Sequence, residues 1–447
     1  MMPLVGIPET IANGMRAYRA VFCREAGYEH VSRYISGLLL SENKTLQGIH
    51  AQQVYPQGEA VSRRAMHAAV FEAGWDSEEL MRQHRLQVGQ QHQGRGREII
   101  SLDWTLSHHA TAQQIHGVKR AYDYVNHCMS CFQTVVTAVV ANPQQIDGIA
   151  VEVQLPDFSE AERGYLQMTA QASYEQMEAL MQRLIELLHH QKNLLEYRKR
   201  TEIAVEIVEQ IEAEGQFPKA DYAFDNGVLS LALTQLIEAK GKHWVSEIEC
   251  SRLVFWQGLW RRVDAVATQL RLEHRESFRP LQVCCRNREV KEYWAFTKTV
   301  RLKRYGRKRL VIVHQKEDLS DTPRFLLSDA LHWESTRVIQ TWSYRWACEI
   351  FHQFCKQVAG FESAQVRNEE AVKRHFRISC IAQSILGQAA CRGKNLEKFA
   401  FANEKQTVGQ RLYTLTREAY HQLLHLVQGL FAQGRTCEQV LQVLMPA

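Results

Sequence analysis

Three apolar, β-branched runs, EIISLDW (98–104), TVVTAVVAN (134–142) and GIAVEVQLP (148–156), precede a long helical pattern over about 172–214 that closes at Gly215. A fourth strand-like run, ADYAFDNG (220–227), follows it. Then come a helical stretch, VLSLALTQLIEAKG, and a fifth strand-like run, HWVSEIEC. Val, Ile, Tyr and Phe suit a pleated, half-buried surface, and Gly just past a helical pattern is a C-terminal stop. Strands that then alternate with helices imply an α/β core built on a mixed sheet.

The chain on either side of this core reads differently. Residues 1–86 are helices joined by short turns, with YPQG (55–58) a turn signal and DSEE (76–79) a capping box that opens a helix. Two helices about that turn could form a helix-turn-helix with Arg63, Arg64 and His67 facing DNA, or a small helical bundle with no such contact. QVGQQHQGRGR supplies a polar linker at 87–97. The core's first part then runs over 98–250, a β-rich insertion over 251–335, core helices over 336–395 and a C-terminal helical region over 396–447.

With 45% hydrophobic and 23% charged residues, the chain is globular and not a disordered polyelectrolyte. Its net charge is only +5, so where the charge sits matters more than its sum. No apolar run approaches the roughly 20 residues that span a bilayer, and the first residues lack an apolar signal region. Eleven cysteines, an odd number, fit free thiols in a reducing, cytoplasmic compartment. Cys128 and Cys131 form a single C-x-x-C beside His127, too little for a structural zinc site.

The chemistry concentrates in three acids. Asp103 ends IISLD and Asp225 ends YAFD, at strand ends where open α/β sheets place their sites. The third lies in TWSYRWACEIFHQFCK (341–356), read as one helix. At 100° per residue Arg345, Glu349, His352 and Lys356 share a narrow arc, with Trp346, Ile350, Phe351, Phe354 and Val358 opposite. Arg before Glu at i, i+4 opposes the helix dipole, which weakens a surface ion-pair ladder as the account of the arc; on this helix alone the ladder and a functional face both stay open. Three converging carboxylates repel one another unless cations are present, and hard oxygen ligands suit Mg²⁺ or Mn²⁺. Two such ions serve phosphodiester displacement, with Arg345 and Lys356 holding backbone phosphates beside them.

These residues resemble the DD-E transposases of bacterial insertion sequences, in the group that carries the signature Tyr-x2-Arg-x3-Glu-x6-Lys. Arg345, Glu349 and Lys356 match its spacing, Trp342 stands at the tyrosine position, and LDWT and FDNG supply the two aspartates. The likeness covers about residues 97–395. It implies a ribonuclease H-like catalytic core in which Asp103, Asp225 and Glu349 bind two Mg²⁺, with Mn²⁺ as substitute. It further implies cleavage at terminal inverted repeats, joining of 3′-OH ends to target DNA, and a dimer on double-stranded DNA. A DNA-binding protein derived from a transposase, without catalysis, and a structure-specific nuclease on the same core are the rival readings.

One feature stands apart from the resemblance. RNREVKEYWAFTKTVRLKRYGRKR (286–309) holds ten Lys or Arg against two Glu, a local +8 that exceeds the whole chain's +5. Arg301, Lys303, Arg304, Arg307, Lys308 and Arg309, with Tyr293, Trp294, Phe296 and Tyr305 among them, suit a nucleic-acid surface, the alternative being a solvated β-hairpin with alternating charges.

Overall fold

The computed structural model describes residues 2–55, 61–109, 114–157, 159–171, 176–189, 196–286, 288–391 and 407–445. Of the predicted YPQG turn, only Tyr55 falls among them. The chain opens with α1 (Glu9–Met15), a 3₁₀ turn (Arg16–Val21), α2 (Glu25–Leu40), α3 (Leu46–Gln52), α4 (Arg63–His67) and α5 (Ser77–His92). Strands β1 (Ile99–His108), β2 (Lys119–Asp123), β3 (Cys128–Ala141) and β4 (Ile146–Gln154) follow. Helices α6 (Ser159–Gln171), α7 (Met177–His189) and α8 (Arg200–Glu214) lead to β5 (Asp221–Phe224), α9 (Leu231–Ala239) and β6 (Trp244–Glu247). Next come β7 (Leu253–Trp256), β8 (Leu259–Arg262), α10 (Val263–Glu273), β9 (Arg279–Cys284), β10 (Val290–Leu302), β11 (Gly306–His314) and β12 (Arg324–Ser328). The remainder is helical: α11 (Ser335–Ser343), α12 (Trp346–Gln357), α13 (Glu369–Gln388), α14 (Val408–Ala432) and α15 (Cys437–Leu444).

The strands form one twelve-stranded mixed sheet in the order β2-β3-β1-β5-β6-β12-β11-β10-β7-β8, with β4 also on β3 and β9 also on β10. β1, β5 and β6 are parallel neighbours, joined through the crossover helices α8 and α9. The other pairings are antiparallel, so the chain is a mixed α/β protein as expected.

Strand alternation assigns the two faces. Ile99, Val135, Val139 and Val151 enter a core shared with the N-terminal helices, α12 and α13, whereas Ile100, Leu102, Val136 and Val140 enter a core with α8, α9 and α10. A third cluster packs α11 against β9–β12. Local signals set the helix ends. Asp76 caps α5 by accepting from Glu78 N, Gly215 closes α8 in the left-handed region (φ 65°), and Ser230 caps α9.

Three expected boundaries differ. Residues 87–97 are not a linker, because α5 continues to His92, whose Nε2 is 2.8 Å from Asp147 Oδ2 with both side chains fully buried. Residues 1–86 are not a separate unit either. Tyr34 OH donates to His375 Nδ1 (3.0 Å), Arg377 binds Ser77 and Glu78, and Thr10 binds Glu418 on α14. The expected insertion, 251–335, extends the same sheet, with β12 pairing directly to β6. Among the described residues no helix is long and apolar enough to cross a membrane.

Candidate carboxylate site

The period of 2 along β1 aims its odd residues at α12. Ser101 Oγ donates to Tyr344 O (3.0 Å), Cys348 Sγ donates to Ser101 O (3.3 Å), and Asp103 stands two residues on, facing the same way. Trp104 takes the opposite face, where the Arg200 guanidinium lies 4.0 Å from its ring centroid. Asp225 follows the last residue of β5, next to β1 in the sheet, with its carboxylate accepting from Gly227 N (2.8 Å). A Cβ at Gly227 would come within 2.9 Å of Trp104 Nε1 and 3.1 Å of Asp225 Oδ1, so glycine lets this turn pack against the Trp104 ring beside Asp225. Glu349 lies in the first turn of α12.

The stretch 341–356 is two helices, not the single one predicted. The Tyr344 carbonyl serves Ser101 and Ala347 N, and Cys348 N bonds back three residues to Arg345 O, so the turn tightens between α11 and α12. The arc changes accordingly. His352 is buried, with Nε2 2.8 Å from Thr137 Oγ1, while Trp346 is 58% exposed. Arg345 and Glu349 keep their i, i+4 relation, Arg345 Nη2 lying 2.5 Å from Glu349 Oε1 and Nη1 3.4 Å from Asp103 Oδ2. One guanidinium thus bridges the two acids. Trp342 lies against it, its ring centroid 5.8 Å from the Arg345 carbon.

Electrostatics agree with convergence. Burial, then repulsion from Asp225 and Glu349, pushes the Asp103 carboxyl up to about 7, against the pull of the Trp104 amide and Arg345. Burial alone would lower Arg345, but Glu349, Asp103 and Asp225 together raise it. Among the described residues no three His, Cys, Asp or Glu side chains are drawn together as a metal-ligand set. Glu349 is turned to Arg345, which supplies positive charge where the acids need it. Their oxygen-only donor chemistry and mutual repulsion fit a hard divalent cation, which Asp103, Asp225 and Glu349 would hold.

Sequence reading missed two further acids. Glu247 ends β6 beside Asp225. Burial raises its carboxyl, as does Asp225, while Arg324 at 3.6 Å and Arg345 oppose the shift. It closes an apolar strand as Asp225 does, so its signal was available; Asp103, expected at a strand end, instead lies in the middle of β1, which runs on to His108 because it keeps pairing with β3. Glu362 carried none. It accepts from His108 N (3.0 Å), lies 3.1 Å from His108 Nδ1 and 3.5 Å from Lys356 Nζ, and His108 Nε2 is 2.8 Å from Asp123. Lys356 therefore sits away from the acid cluster, tied to Glu362.

The basic stretch 286–309 is distributed rather than concentrated. Arg301, Lys303, Arg304 and Arg307 are exposed around the β10–β11 turn. Lys308 is not: it is buried, 2.9 Å from Glu238 and over the Trp244 ring, pinning β11 to α9. Arg309 is half-buried, with Nε enclosed. The interleaved aromatics turn inward, Tyr293 to the α11 cluster and Tyr305, Trp294 and Phe296 to the core beneath α8–α10. β11 lies four strands from β1, roughly 19 Å away at 4.8 Å per strand.

No known family's sequence profile matches the chain, and no curated protein is significantly similar to it.

Proposed function

We propose that this chain is a DNA strand transferase of the transposase type: it cleaves phosphodiester bonds at the ends of a mobile element and joins the 3′-OH ends to target DNA. The observation that carries the reading is the bridging of Asp103 and Glu349 by Arg345 beside Asp225, on the sheet face where β1 meets α12. The strand order β4-β3-β1-β5-β6, two antiparallel strands followed by three parallel ones, supports a ribonuclease H-like core. Divalent cations held by the three acids would stabilise charge on the reacting phosphate and activate the attacking oxygen. Arg345 neutralises Asp103 and Glu349 meanwhile, and with cations in place it is free to bind a phosphate. Lys356 reaches DNA by exchanging Glu362 for a phosphate oxygen, and the exposed cations at the β10–β11 turn serve more distant backbone. Because two ends must be held together, the protein acts as a dimer on double-stranded DNA.

The test uses a labelled duplex spanning the coding region's own flanking sequence, with Mg²⁺ or Mn²⁺. Wild type should cleave and join; Glu349→Gln should lose both while still retarding the duplex. Equal cleavage by both proteins removes Glu349 from the reaction, and cleavage without joining would make the protein a nuclease.

A further inference from the structure

The face covered by α11 carries a second feature, away from the acids. At the start of α11, the guanidinium carbons of Arg97 and Arg337 lie 4.9 and 4.3 Å from the ring centroid of Trp333. They line a cleft of about 420 Å³ together with Gln282, Cys284, Thr336 and Gln340. Asp221 takes one Arg97 nitrogen (3.1 Å), but Arg97 Nη1 is enclosed with no partner. Burial and the neighbouring Arg337 charge both lower Arg97 from its ordinary value. Arg337 is exposed. Two like charges lie against one ring, and the outer one, Arg337, is open to solvent, so an arriving anion would meet net positive charge there.

This cleft is not isolated. A second, of about 280 Å³, opens at the other end of α11 and is lined by Arg286, Lys291, Arg324 and Arg345. Cys284 borders the first and the adjacent Cys285 the second, and Gln340 and Ser343 of the α11 helix line one each. No carboxylate lines either cleft among the described residues. α11 has nine residues, so the cations extend over about 13 Å. One DNA strand carries about four phosphates over that length. A row of this kind suits a polyanion, whereas a single phosphate or nucleotide needs only one of its ends.

We propose that the Arg97–Arg337–Trp333 cleft is a distal contact for the sugar–phosphate backbone of duplex DNA, the far end of a track that follows α11 from the carboxylates to the opposite edge of the parallel strands. The proposal rests on the DNA reading of the site. It assigns backbone contact to α11 in addition to the β10–β11 turn that the sequence singled out.

Cys284 is an exposed thiol on the wall of this cleft, so the native chain carries its own probe. Full-length protein is alkylated with a maleimide, with and without duplex at a concentration that gives complete retardation, and each cysteine is mapped by peptide mass. Duplex should slow alkylation of Cys284 several-fold and leave the exposed Cys437 on α15 at its free rate. Arg337→Gln should remove that protection and lower the slope of log K against log salt by about 0.9, one phosphate contact. Retardation with Cys284 alkylated at its free rate overturns the distal contact and leaves the DNA reading standing. Failure of wild type to retard any duplex overturns both. Protection by inorganic phosphate or a mononucleotide, but not by duplex, assigns the cleft to a small ligand and overturns the track.

Discussion

The two faces of the sheet are built in opposite ways. On the side of α8–α10 the core is apolar: Leu102, Val136, Phe224, Leu233, Val266 and Leu327 pack together, and the covering helices follow closely on the strands they cover. On the other side, helices from both flanks of the core meet over β3 and β4, with polar groups between them. Arg377 joins Ser77, Glu78 and Glu152. Asp147 is held by His92 and Ser384. Hydrophobic burial is non-directional and tolerates slack, whereas a buried polar network specifies one arrangement and is costly when a member is lost. The carboxylate site lies on the networked face, so its geometry depends on contacts that span hundreds of residues.

That contrast can be broken in order of expected effect. Deleting residues 1–76 removes α1–α4 and the helical turn Ala68–Glu72 after them, so that Ile11, Ile35, Val70 and Phe71 no longer share a core with Phe351, Phe376 and Ile381. The truncated chain should show no cooperative melt by circular dichroism; a normal transition would mean the two flanks are separable after all. Next, Arg377→Met strands Glu152 and should cost about 3–5 kcal/mol, because breaking a buried pair leaves an uncompensated charge. On the apolar face Leu233→Ala should cost about 2–5 kcal/mol through its cavity alone. Urea midpoints with a common slope measure both.

Acid should separate the faces further. Burial lowers His84 and His375 to about 4 and His352 to about 3, and each is held in a neutral tautomer. His84 Nε2 donates to Gly148 O and His375 Nε2 to Gly360 O, with a tyrosine hydroxyl on each remaining nitrogen. The unfolded chain binds these protons near 6.5, and the folded chain only near 4 or below. Stability is therefore full above about 6.5 and falls as pH drops toward 4, since the unfolded state then holds more protons. His352→Gln should flatten part of that slope, and Leu233→Ala should leave it unchanged. The smallest effect concerns Lys356. Glu362→Gln should leave the fold intact and tighten duplex binding without changing the salt slope, because Lys356 makes the same phosphate contact without first leaving a carboxylate.

The same contrast explains what could be read from the sequence. The runs that form β3–β6, the start of β1 and the stop at Gly215 were legible, because β-branched runs and a glycine past a helix signal through near neighbours, whereas the helix α10 within the expected β-rich insertion was not. Asp103 and Asp225 were legible as acids ending such runs. The networked face was not. Nothing around Tyr34 announces His375, nothing around Asp76 announces that α5 continues through QVGQQH to bury His92, and nothing near Lys356 announces Glu362. The break at Tyr344 escaped for a similar reason: the carbonyl that helps end the helix is claimed by Ser101, 243 residues earlier. The basic run misled because composition does not say which strand face a lysine takes, and Lys308 takes the inner one.

The bond between Tyr34 and His375 has a consequence in time. A ribosome adding about 10 residues each second needs roughly half a minute to travel between those two positions. Throughout that interval α2 exists without the helix that seats it, and for most of it β1, once made, waits for Glu349. Contacts of this sequence separation also slow the search for the native state once the chain is free. A nascent chain therefore holds Asp103 and Asp225 for many seconds before it holds Glu349, and chemistry requiring all three begins only after synthesis has passed α13.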